Sequence, residues 1–138
     1  MRAILTDLGV AACLIKNEAI LLVKEASGPQ KGRWGMPKGT VDEGELPSFA
    51  ALRELEEECG ISDLSIIRFL KYTYHTYSID EKKILKITSW YLMSSKYEKK
   101  LIPQLSEGIT HVEWVRPENI NTKLENSFNN IIDLFNDI

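Results

Sequence analysis

The chain has 138 residues, 43% of them hydrophobic and 27% charged, with a net charge of −3. That is enough chain to bury a core, too apolar for disorder, and without the basic excess of a nucleic-acid surface. No apolar run approaches the roughly 20 residues that span a bilayer, and MRAILTDLGV lacks the long apolar core of a signal peptide. A cytoplasmic protein of one domain, residues 1–138, with no membrane partner and no stable nucleic-acid partner is expected.

In chain order, GVAACLIKN and EAILLVKEA are apolar runs joined near Lys16-Asn17-Glu18, which predicts a hairpin of partly buried strands. Cys13 and Cys59 sit inside apolar patterns without metal-ligand spacing, so both are expected as reduced, buried thiols. The following SGPQKGRWGMPKG holds four glycines and two prolines and predicts a loop, with at most a short strand at Trp34-Gly35-Met36. From Leu46 the pattern becomes helical, with Pro47 in the first turn and Gly60 as the stop. Leu64 to Tyr77 and Lys83 to Ser94, separated by SIDEKK, predict a second hairpin. HVEWV predicts a strand, and Phe128, Ile131, Ile132 and Phe135 give a helix over Asn126 to Ile138. Together these elements predict one mixed α/β domain.

Charge is distributed unevenly. Gly39 to Ile61 places seven acidic residues in twenty-three positions. At about 100° per residue, Glu54, Glu57 and Glu58 share one side of the helix, with Phe49, Leu52, Leu55 and Cys59 opposite and Glu56 pointing away. Like charges three and four residues apart repel, so a compensating partner is required. Lysines and arginines nearby would suffice for an ordinary solvated face. A glycine-rich loop beside three carboxylates also suits a hard divalent cation such as Mg²⁺, which prefers oxygen ligands.

Gly39, Glu45, Arg53, Glu54, Leu55, Glu57, Glu58, Gly60 and Ile61 fill every specified position of the Nudix box, so the chain resembles the Nudix hydrolases. The resemblance implies a Nudix-type α/β/α sandwich with a mixed β-sheet. It also implies hydrolysis of a pyrophosphate linkage in a nucleoside diphosphate joined to another moiety. Glu54, Glu57, Glu58 and the backbone carbonyl of Lys38 would hold Mg²⁺, with Mn²⁺ as an alternative. Arg53 would orient Glu54 or pair with Glu45. Glu54 and Glu107, the latter in the loop before HVEWV, are both candidates for the general base.

Substrate recognition falls outside the box. Lys31, Arg33 and Lys38 are candidate phosphate contacts, and in YTYHTY the tyrosines Tyr74 and Tyr77 are candidates for stacking on a base. Tyr77, about sixteen residues beyond the box, and Pro37-Lys38-Gly39 resemble features of diadenosine polyphosphate hydrolases, which places a dinucleoside polyphosphate first among expected substrates. A nucleoside triphosphate or an ADP-ribose-type compound is the alternative. A nucleotide-binding regulator is the non-enzyme alternative.

Overall fold

A computed structural model describes residues 5–26, 31–96 and 101–124. Strand β1 (Leu5–Lys16) turns into β2 (Ala19–Glu25) at Asn17 and Glu18, whose φ values are 50° and 68°. Two successive positive φ angles mark a type I′ turn, which matches the right-handed twist of the flanking strands. The breaker-rich loop yields β3 (Trp34–Gly35) and then β4 (Lys38–Thr40), a strand not foreseen in the sequence. Three residues carry no periodicity of their own; pairing with Gly9, Val10 and Ala11 of β1 makes them a strand.

Helix α1 (Pro47–Cys59) starts and stops where expected. Pro47 occupies the first turn, where its missing N–H costs nothing, and Gly60 closes the helix at φ 71° with its N–H bonded to Glu56 O. The long pair β5 (Leu64–Ile79) and β6 (Lys82–Ser95) forms the second hairpin, again through two positive-φ residues, Asp80 and Glu81. A single 3-10 turn, Leu105–Glu107, precedes β7 (Ile109–Val115), and α2 (Pro117–Lys123) follows. PENINTK is polar and short, so α2 gave no amphipathic signal. The helix expected at residues 126–138 lies outside the described residues.

The strands form one mixed sheet in the order β3-β2-β1-β6-β5, with β4 added to β1 and β7 to β2. β1 and β6 run parallel; the other pairs are antiparallel. Alternation along β1 divides the core in two. Val10, Ala12 and Leu14 pack with Ala50, Ala51, Leu55 and Cys59 of α1. Ala11 and Cys13 pack on the other face with Met36, Trp90, and Ile120 of α2. One helix therefore covers each face, the α/β arrangement expected. Both cysteines are free and buried; burial pushes the Cys13 thiol up to about 12 and Cys59 higher still, so neither is a thiolate.

The orientation of α1 corrects the helical-wheel reading. Phe49 is 60% exposed, whereas Ala50, Ala51, Glu54, Leu55, Glu58 and Cys59 are buried. The small Ala50 and Ala51 let the helix sit close to the sheet, and Phe49 is turned to solvent. Docking these apolar residues, with Leu55 alone worth about 1.5–3 kcal/mol, drives two carboxylates into the interface.

Candidate active site

The site begins with the register of β4. Ala12 N–H donates to Pro37 O at 3.0 Å and Val41 N–H to Leu8 O at 2.9 Å, which places Lys38 and Thr40 at positions not bonded to β1. In an antiparallel ladder the N–H and C=O of such residues point off the opposite edge. That edge faces α1. Lys38 N–H donates to Glu58 Oε2 at 3.3 Å, Thr40 N–H donates to Glu54, and Thr40 O accepts from Arg53 Nη2 at 2.9 Å. The Lys38 carbonyl is directed to the same edge by the same geometry. Gly39, between them, faces the helix, and a Cβ there would overlap the Glu54 carboxylate. Gly39→Ala is therefore expected to displace Glu54 and cut turnover by at least about tenfold, read from kcat at saturating substrate. Melting temperature should change little, because the backbone conformation at Gly39 is an ordinary one.

Arg53 organises the acidic groups. Its Nε and Nη2 donate to Glu45 Oε2 and Oε1, both at 2.9 Å, in a bidentate pair. Nη1 donates to Glu54 Oε1 at 3.0 Å and to Glu57 Oε2 at 3.2 Å, and Asp42 lies 3.4 Å from Nη2. Glu45 also accepts from Asp42 N–H at 3.1 Å, which closes the loop before the helix. Bonding to Arg53 and to that N–H holds the Glu45 carboxyl at about 2. Both partners expected for Arg53, Glu54 and Glu45, are present.

The three box glutamates differ in environment. Glu57 is exposed, and Glu56 points to solvent as expected. Glu58 is 7% exposed and, among the described residues, forms no salt bridge. Burial, then the nearby charges of Glu54 and Glu25, pushes its pKa up to about 8. Burial raises Glu54 as well, opposed by Arg53. Among the described residues no three His, Cys, Asp or Glu side chains are already drawn together as a metal shell. The donor set nonetheless fits a hard divalent cation: it is all oxygen, and two buried, mutually repelling carboxylates would both be relieved by positive charge.

On the opposite face of β4 the Lys38 side chain is half-buried. Burial lowers its pKa, and the charges of Glu25, Lys86 and Glu58 all act on it. Tyr77 shares this face, donating its hydroxyl to Asp7 Oδ2 at 3.1 Å and stacking on His75 with ring centroids 6.4 Å apart. Tyr74, by strand alternation, lies on the α1 side of the sheet and is 63% exposed, so the two tyrosines are not brought together. Lys31 and Arg33 are exposed before β3. The side chain of Glu107 lies outside the described residues, although Gln104 N–H, three residues earlier, bonds Glu58 O at 3.1 Å. A hollow of about 350 Å³ between β7 and α2, lined by Trp114, Arg116 and Lys123 among others, includes none of the predicted site residues.

Asp7, Glu25 and Lys86 were missed in the sequence. Each is one polar residue in a strand pattern, where a solvent-facing position is the ordinary reading; the parallel pairing of β1 with β6 sets Asp7 opposite Lys86, and folding brings the charge of Glu25 near Lys38 and Glu58.

Comparison with known proteins bears on the family and the fold. An RNA pyrophosphohydrolase of Bartonella henselae is 49% identical over 43 residues, 31% of this chain and 25% of that protein. The chain spans between 25% and 33% of the length of the first curated relatives it matches. A MutT NUDIX hydrolase from Burkholderia pseudomallei shares the fold with a TM-score of 0.71 at 21% identity, covering 96% of this chain and 98% of that one. A C. elegans Ap4A hydrolase in a binary complex does so with a TM-score of 0.67 at 21% identity, covering 97% and 96%. The model of the NUDIX domain matches residues 6–135, and the chain, with its complete box folded around Arg53, belongs to the NUDIX family.

Proposed function

We propose that this protein is a divalent-cation-dependent hydrolase of a phosphoanhydride bond in a nucleoside polyphosphate, with dinucleoside polyphosphates as the preferred class. The observation that carries the reading is the pair of buried carboxylates, Glu54 and Glu58, set against the β4 edge where Lys38 presents its backbone. Glu54, Glu57, Glu58 and the Lys38 carbonyl would hold Mg²⁺ or Mn²⁺. When bound, such an ion supplies charge withdrawal from the phosphoryl oxygens.

The chain's own residues account for the rest. Glu54, raised by burial and oriented by Arg53, is suited to take a proton from the attacking water; Glu107 is the other candidate for that role. Arg53 positions Glu54 and Glu57 through one guanidinium nitrogen, which keeps both carboxylates at the helix edge. Lys38, with Arg33 and Lys31 at the approach, contributes positive charge for phosphate. Tyr77 offers an aromatic surface on the Lys38 side for a nucleoside.

Turnover on a panel of dinucleoside polyphosphates, nucleoside triphosphates, ADP-ribose and 5′-phosphorylated RNA tests the reading, and the absence of hydrolysis in all four classes would sink it. The RNA class is prompted by the Bartonella relative, but a net charge of −3 disfavours a long polyanion. A regulator would bind a nucleotide without turning it over. Cation binding should also stabilise the fold, by about 2.7 kcal/mol at a hundred times the dissociation constant. A thermal melt in a millimolar Mg²⁺ or Mn²⁺ titration reads this, and an unchanged Tm would remove the cation site.

A further inference from the structure

The outermost long strand of the sheet has an open edge. Among the described residues β5 pairs with β6 and with no other strand. Such an edge invites pairing with another chain, and proteins blunt it with bulges, prolines or charges. On β5 these devices stand in the first half, where the register shifts between Ile66 and Arg68 and between Phe69 and Lys71. Residues 72–79 follow in unbroken register, with no proline, lysine, arginine or acid. The same stretch borders an uncovered apolar surface on the α1 side of the sheet. α1 packs on β1 and β4, and β4 and β6 flank β1 on opposite edges, which sets the helix away from β5. Strand pairing carries one row from Leu8 through Ile87 to Tyr74, and beside it Phe69 lies 4.9 Å from Tyr72 and 5.7 Å from Tyr91 between ring centroids. Leu8, Phe69, Tyr72 and Tyr74 are 41–63% exposed.

We propose that residues 72–79 form a self-association edge: two copies of this chain join their β5 strands antiparallel about a twofold axis at Tyr74, which makes one continuous sheet. Charge and size both favour a second copy as the occupant. An axis at Tyr74 sets Tyr72 opposite Thr76 of the copy, so the aromatic surfaces of the two α1 sides become one. The same axis brings Arg68 of each copy to the hairpin end of the other, where Asp80 and Glu81 stand, so an opposite-charge contact is made twice. An axis at Tyr72 would instead set Asp63 against Glu81, like against like. With the strand edge itself, the four exposed side chains offer roughly 600 Å² per copy, the lower limit of a specific interface at about 1,200 Å² in total. Association at micromolar concentration follows, and it needs neither substrate nor cation.

Sedimentation of the chain between about 1 and 200 μM tests this, and the mean mass is expected to rise from that of the monomer to about twice that value. Tyr74→Lys and Tyr74→Glu each set two like charges face to face at the axis, and each is expected to weaken association about 100-fold. An equimolar mixture of the two variants is expected to dimerise again, because lysine then meets glutamate. Arg68→Glu, which turns the contact at the hairpin end into a repulsion, is expected to weaken association about tenfold. Tyr74 is exposed, so the Tm of both Tyr74 variants at the lowest concentration should match that of the unaltered protein. A chain that stays monomeric to about 200 μM would overturn the proposal and leave the edge to a strand of a different protein. Tyr74→Lys dimerising like the unaltered protein would overturn it too, since the contact would lie elsewhere. So would a mixture that stays monomeric, because Tyr74 would not then meet its own counterpart.

Discussion

Glu58→Gln is expected to stabilise the cation-free protein while lowering turnover by about 100-fold or more, since it keeps the side chain's shape and removes its charge. A pKa of about 8, against an ordinary 4.5, means that the folded protein holds a proton the unfolded chain has already lost across that window. Stability therefore falls as pH rises from about 4.5 to about 8, and the full cost is felt above that range. Glutamine escapes it. The variant should exceed the unaltered protein by about 2–4 kcal/mol near pH 8 and match it near pH 4, with a flatter pH profile between. Chemical denaturation at several pH values without cation reads the first half, and kcat in Mg²⁺ reads the second. A variant less stable at pH 8, or one with ordinary turnover, would refute the assignment of Glu58 as a desolvated cation ligand. Added Mg²⁺ should reverse the order of the two melting temperatures.

The contrast between Glu58 and Phe49 shows where sequence reasoning stopped. The box was legible because its information is local: Pro47 and Gly60 bound the helix, and nine positions in one loop-helix unit carry the resemblance. Both hairpins were legible because their turns are short and polar between apolar runs. The rotation of α1 was not legible, because a wheel ranks Phe49 above Ala50 and Ala51 as a core residue, whereas close approach to the sheet favours the alanines. Glu54 and Glu58 are buried as a consequence, with no local pattern to announce it. The polar groups of the opposite face depend on β1 pairing with β6 across roughly 80 residues of sequence, which no periodicity encodes. β4 is the extreme case, a strand defined wholly by its neighbour yet central to the site.

Arg53→Lys should be nearly as damaging as Arg53→Ala, although it preserves the charge. Arg53 makes two bonds to Glu45, one each to Glu54 and Glu57, and one to the Thr40 carbonyl, and these five fan out from a single plane. An ammonium has three donors on a flexible stem and cannot span that set. Losing the fan frees the loop from Asp42 to Leu46 and leaves Glu54 buried beside Glu57 without a cation. Where Glu54 is the proton acceptor, as proposed, its release would misplace it by a fraction of the distance on which proton transfer depends. A fall in kcat of about 10²-fold or more is expected for both variants, with KM less affected because the proposed phosphate contact of the Lys38 side chain lies on the other face of β4. Melting temperature should drop by several degrees in the absence of cation and recover in part with Mg²⁺, which supplies positive charge but not the link to Glu45 and Thr40. Steady-state kinetics on the best substrate of the panel, with melts at matched cation concentration, check both halves. If lysine restored turnover, simple charge balance would account for Arg53, and the planar hydrogen-bond network would have no special part in the chemistry.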